Sequence, residues 1–251
     1  YLSLDAAIEA GQMVITERSE GGSVAELIAV NKASQPVLIV SGDELIGAKQ
    51  NRIVNVSILL KSGTRVIIPV SCSERGRWHY SSRTFRSSKF MSSPSLRKKK
   101  METVTFSLRQ REERFSDQSG IWNKIDDDAR RIGVRSKTGA YSDLMETRVS
   151  SYAEILGSFA LIPDQTGIFV FAAGRPLLLE FISKPAVYAH IHRKALSGCL
   201  LDALHIRDPN PVDERPREVF AAMRACEESE HPAIGDGVEI RFRSRETEGA
   251  A

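Results

Sequence analysis

Cysteine is scarce in this chain of 251 residues. Cys72, Cys199 and Cys226 are an odd number, widely spaced, with no CxxC pair. That usage excludes a disulfide framework and a cysteine zinc site, and it fits a reducing cytoplasm. Long apolar runs are missing too: nothing approaches the roughly eighteen consecutive apolar residues of a membrane helix, so no membrane partner is expected. There is no HExxH motif, and His190 and His192 sit two apart, which on a helix turns them in divergent directions. Neither a metal nor a cofactor is expected. Ser136-Lys137-Thr138-Gly139 lacks the upstream glycines of a Walker A loop, although Lys137 and Thr138 are candidates to reach a phosphate from a loop between two helices.

Charge of one sign does not dominate either, because the net charge is only +3. The basic residues are nonetheless uneven: Arg83, Arg86 and Lys89, then Arg97 to Lys100, fall in a Ser-rich stretch without an acid, which predicts a mobile basic loop near 81–100. Only Phe85 and Phe90 interrupt that run, too few for a stacking platform, so nucleic acid is not the expected partner. The oligomeric state is not legible.

The length and average hydrophobicity suit a substantial core, and the patterning reads as an α+β protein. A single domain over 1–251 is expected, with a β-rich core at 12–80, forming a sandwich or curled sheet, and a helical and mixed part at 95–244. In the first part QMVITE, VAELIAV, PVLIV, RIVNVSILL and TRVIIPV are short strands bounded by turn residues. Lys61, Ser62 and Gly63 between the last two predict a hairpin with a bulge. RIVNVSILL alternates imperfectly, as in a strand buried on both faces. Further on, SGIWNKIDDDARRIGV has helical spacing with Gly133 as a stop, and SDLMETRVSSYAEILGSF reads as another helix. GIFVFA and PLLLEFI form a hairpin followed by a long helix from Ser183, and PREVFAAMRACEES is a further helix after a DPNPVDERP linker.

Between two apolar runs lies the densest polar block, GDELIGAKQNRIVNVSILLKSGTRVIIPVSCSERGRWHY. Lys49, Gln50, Asn51 and Arg52 supply many donors just before a buried strand, Asn55 within it joins them as a candidate ligand-binding residue, and Arg52 carries a planar fork suited to phosphate or carboxylate. Cys72, Arg77 and Trp78 trail the next strand and complete the candidate ligand-binding set. Glu44 and Glu74, on neighbouring loops, are the candidate catalytic pair, one as general acid and one as base. The competing reading spends these groups internally: Arg52 on Glu44 or Glu74, Glu74 on Arg77, and the amides on irregular backbone. Four residues separate Cys72 from Arg77, one short of a phosphatase loop, and RWHYSSRTF promises no helix to follow.

GDELIGAKQNRIVN and IPVSCSERGRW closely resemble the ARG and rhodanese-phosphatase-superfamily-associated protein domain, and the resemblance continues through SPSLR, Ser136–Gly139, GIFVFAAGRPLLLEFI and CLLDAL. It implies association with ADP-ribosylglycohydrolases and with the rhodanese-phosphatase superfamily, and hence a context of NAD or ADP-ribose metabolism. Two functions are carried forward. One is a protein that binds or processes an ADP-ribose-like or other phosphorylated small molecule, with Lys49, Arg52 and Arg77 on phosphate. The other is a non-catalytic ligand-binding or protein-interaction module. Geometry separates them, because an enzyme needs the polar groups to converge on one open pocket.

Overall fold

The structure, a computed structural model, describes residues 1–111, 113–206, 216–244 and 248–250. It begins with β1 (Leu2–Ser3) and α1 (Leu4–Glu9), whose first turn is capped by the Ser3 hydroxyl accepting from the Ala6 amide. Eight strands follow: β2 (Met13–Glu17), β3 (Glu26–Asn31), β4 (Val37–Ile39), β5 (Asp43–Gly47), β6 (Arg52–Val54), β7 (Ile58–Leu60), β8 (Arg65–Cys72) and β9 (Phe85–Met91). Four helices come next: α2 (Pro94–Arg111), α3 (Gln118–Ile132), α4 (Tyr141–Ser151) and α5 (Ala153–Gly157). The hairpin of β10 (Gly167–Ala172) and β11 (Arg175–Phe181) leads into α6 (Pro185–Ala203). The last elements are α7 (Pro216–Arg224), β12 (Glu227–Pro232), β13 (Val238–Arg243) and β14 (Glu248–Ala250).

The architecture is α+β. Six strands form one curled antiparallel sheet in the order β2-β3-β8-β6-β5-β9, and β1, β4 and β7 form a small second sheet. One face of the six-stranded sheet is covered by Ile15, Leu27, Leu45, Val54, Ile68 and Phe85, with Val104 and Leu108 of α2. The other face carries Ile53 and Phe90 against Ile121 and Ile125 of α3 and Leu144 of α4. Ile53 and Val54 therefore point into different cores, the two-faced burial anticipated for RIVNVSILL. Helix α6 lies against β9, where a Cβ on Gly198 would come within 3.0 Å of the Met91 and Ser92 carbonyl oxygens. Only glycine allows that approach.

An ion cluster pins α6 to the sheet. Lys194 Nζ donates to Asp43 Oδ1 at 2.5 Å, to Ser87 Oγ at 3.1 Å and to both oxygens of Asp5 at 3.3 Å. Asp43 is fully buried, and its second oxygen accepts the Val40 amide.

Three expectations are corrected. RIVNVSILL is not one strand: it breaks at residues 55–57, β6 pairing with β8 and β5 while β7 pairs with β4. The anticipated hairpin with TRVIIPV is thereby lost. The break has a cause, since Ser57 Oγ accepts the Ser41 amide and the Asn55 carbonyl accepts the Ser41 hydroxyl, tying the segment to the other sheet. Second, the basic run near 81–100 is not a loop: β9 supplies the edge strand beside β5, and 94–100 is the start of α2. Burial of Phe85, Phe90 and Met91 outweighs the solvation of the intervening cations. Third, the long helix after residue 141 is interrupted at Tyr152, between α4 and α5. Helix α3 ends as read, with Gly133 in the left-handed conformation. Residues 208–215 of the DPNPVDERP linker lie outside the described residues.

Candidate functional site

Strands β5, β6 and β8 are neighbours, with Arg52 opposite Cys72 and Glu44 opposite Ile53. The polar groups on either side of β6 therefore meet in space, and most are bound to one another. Arg77 uses its whole fork: Nε and Nη2 hold the Glu74 carboxylate, Nη2 also reaches Asn51 Oδ1 at 3.1 Å, and Nη1 donates to the Ala48 and His79 carbonyls and the Ser81 hydroxyl. Glu74 also accepts the Asn51 amide at 3.1 Å. Burial works to raise its pKa, but hydrogen bonds from Arg77, the Thr138 hydroxyl and the Asn51 amide prevail and hold it below the ordinary carboxylate value. Asn51 completes the clamp, its Oδ1 accepting the Gly47 amide and its Nδ2 donating to Ser142. Arg77, Glu74 and Asn51 thus knot loops 47–51 and 73–81 together. A Glu74 locked in this way is no proton carrier, and Arg77 has no N–H left for a phosphate.

Glu44 sits apart beneath this clamp, fully buried, with the Ser73 hydroxyl on Oε1 at 2.9 Å and Oε2 unpartnered. Burial pushes its pKa up to about 7, against the pull of the Ser73 and Ser88 hydroxyls. The paired-carboxylate arrangement is thus not assembled on an open face. A pH effect follows. The folded state holds the Glu44 proton between about pH 4.5 and 7 while the unfolded chain releases it, so this group's contribution is intact below 4.5 and lost as pH rises through 7. Glu44→Gln keeps the shape and the Ser73 bond, and should gain up to about 3 kcal/mol over the parent at pH 8 and little at pH 4.5. Urea unfolding at both pH values checks this; parallel curves for the two proteins would contradict it.

A third group of side chains keeps capacity in hand. Arg52 is fully buried; Nη1 bonds the Gln50 carbonyl and side chain, and Nη2 bonds the Ser23 carbonyl. Its acidic neighbour is Glu17 of β2, at 3.8 Å, and not Glu44 or Glu74. Arg52 Nε and Glu17 Oε2 are both buried without a hydrogen-bond partner, a costly state for such groups. Trp78, 44% exposed, lies over them, with the Arg52 guanidinium and the Lys49 ammonium each 5.6 Å from its ring centre. Lys49 also faces Tyr80 at 5.1 Å and donates to the Gly21 carbonyl. At Gly22, whose φ is +79°, a Cβ would meet Lys49 Cδ at 3.0 Å and Trp78 at 3.2 Å, so loop 19–24 closes against the indole only because that position is glycine.

The remaining candidates scatter. Cys72 is buried, its thiol pushed up to about 11 by burial, and so stays protonated at neutral pH. Asn55 turns away to Ser71 and the Arg114 carbonyl. Thr138 receives the Arg75 and Gly76 amides on its carbonyl, while Lys137 is exposed. Glu17 and Gln118, whose amide brackets the Cys72 backbone, were not singled out from the sequence. A carboxylate ending a β-strand beside Gly-Gly was the available signal for Glu17. Two cavities described below lie on the helical side, and no residue of the 42–80 block lines either. Among the described residues no His, Cys, Asp and Glu group is placed to hold a metal, and no helix is long and apolar enough to cross a membrane.

The profile of the ARG and Rhodanese-Phosphatase-superfamily-associated Protein domain matches residues 1–251. Comparison with curated proteins and with solved structures finds no match.

Proposed function

The chain belongs to that family along its whole length, and from this premise and the geometry at Trp78 we propose that it binds a nucleotide-type phosphorylated small molecule, of the ADP-ribose kind, as a binding module. The observation that carries the reading is the half-exposed Trp78 indole, backed by Lys49 and Arg52, above two buried polar atoms with unused hydrogen-bonding capacity. A base stacks on the open indole face, a contact worth about 1–3 kcal/mol. Phosphates are drawn to the cations that surround it, with Lys49 foremost because its ammonium is held by one carbonyl and two rings and, among the described residues, by no carboxylate. The family's association with ADP-ribosylglycohydrolases supplies the ligand class. Binding is favoured over turnover because Glu74 is committed to Arg77 and Glu44 is enclosed.

Intrinsic fluorescence tests this directly. Trp122 Nε1 has no hydrogen-bond partner, so Trp122→Phe forfeits no bond and leaves Trp78 as the sole indole. ADP-ribose and NAD should quench that emission saturably, ribose 5-phosphate should quench it far less, and Trp78→Ala should weaken calorimetric binding of ADP-ribose at least tenfold. Absence of any quenching by either nucleotide would remove the basis of the reading.

A further inference from the structure

On the opposite, helical side two cavities adjoin. The smaller, about 550 Å³, is lined by Arg131, Ile132, Arg148, Tyr152, Leu204 and His205. Two arginines, a histidine and a tyrosine face it, and among the described residues no carboxylate does. The larger, about 630 Å³, shares Arg131 and His205 and adds an apolar wall that includes Met101, Phe169, Leu178 and Met223. Its two carboxylates are spent: Glu180 binds Arg97 at 2.6 Å, and Asp202 accepts the Ser95 amide and hydroxyl, each at 2.6 Å. Lys124 is likewise committed to Asp128.

Donors at the seam are not committed. Arg148 spends Nη2 on the Ile132 carbonyl, but its buried Nε has no partner. His205 Nε2 is also buried and unpartnered, while Nδ1 stands 3.9 Å from Asp128. Arg131 and Lys98 have no side-chain partner among the described residues. Arg131 and Arg148, two like charges on one cavity, are not both neutralised there, so an anion that enters offsets their charge and gives the uncommitted donors an acceptor.

We propose that this seam is a second ligand site, distinct from the Trp78 surface, which seats a phosphoryl group on Arg131, Arg148 and His205 and lays an apolar or aromatic body along the neighbouring wall. Burial holds His205 below its ordinary pKa despite the attraction of Asp128 and Asp202, with Lys124 and Arg131 opposing protonation. Its Nε2, on the ring edge away from Asp128, is the atom left to face an entering anion.

Calorimetric titration of the whole chain tests the site, with inorganic pyrophosphate, inorganic phosphate and phenyl phosphate as probes. Pyrophosphate should bind saturably, and Arg131→Glu should weaken it at least tenfold. His205→Gln should weaken it several-fold. Arg65→Glu, the same charge change at an exposed position of β8, should leave it within twofold. Phenyl phosphate should bind at least threefold tighter than phosphate if the apolar wall takes part. The site is overturned if folded protein gives no saturable heat with millimolar pyrophosphate, or if Arg131→Glu binds like the parent. Equal affinity for phenyl phosphate and phosphate would overturn the apolar half.

Discussion

Arg77→Ala is expected to lower the free energy of unfolding by about 3–5 kcal/mol, the cost of stripping a buried carboxylate of its charge partner. Glu74, 4% exposed, would keep only the Asn51 amide and the Thr138 hydroxyl, and the carbonyls of Gly47, Ala48 and His79 would lose the guanidinium, Ala48 keeping the Ser81 amide. Arg77→Lys should recover only part of this, because an ammonium cannot span Glu74, Asn51 and three carbonyls as the planar fork does. The double variant Arg77→Met with Glu74→Gln should be less damaged than Arg77→Ala, since the stranded charge is gone. Urea unfolding followed by circular dichroism reads all three. An alanine variant within about 1 kcal/mol of the parent would show that the clamp is ornamental. Because the clamp holds loop 47–51, which carries Lys49, the same variant should also weaken nucleotide binding at Trp78 without touching the ligand.

Lys194→Met is expected to have an effect of the same order, about 3–5 kcal/mol, for a related reason at a different place. It keeps the length and apolar stem of lysine while leaving Asp43, fully buried, facing Asp5 without a cation. The loss should show as a weakened dock between α6 and the sheet. Replacing Asp43 by asparagine in the same chain retains an acceptor for the Val40 amide and removes the uncompensated charge, so the double variant should be more stable than Lys194→Met alone. If the two losses simply add, the ion pair is not what holds the dock.

Much of this architecture was legible in the residues themselves. The apolar period of Ile121, Ile125, Ala129 and Ile132 marked α3, and Gly133 marked its end. The strand pair GIFVFA and PLLLEFI was readable because Ala173, Gly174 and Arg175 separate two apolar runs; the structure narrows that turn to Ala173-Gly174, both with positive φ, and starts the second strand at Arg175. What misled was also local. RIVNVSILL has the content of one long strand, yet the bonds of Ser57 and Asn55 that break it run to Ser41, sixteen and fourteen residues away. The basic stretch at 81–100 carries the charge of a solvated loop, and only the seat that β5 offers to Phe85, Ser87 and Met91 makes it an edge strand.

The sequence by itself determined that donors and acceptors would be dense around β6, since that density belongs to residue types and needs no partner to be seen. Which atoms remain unspent was decided by tertiary structure alone. Glu17 arrives from β2 to stand beside Arg52, Glu74 is claimed by Arg77, and Arg131, Arg148 and His205 gather from three helices or their ends. A hydrogen bond is settled at about 3 Å in space, and chain distance along the sequence carries no information about that separation.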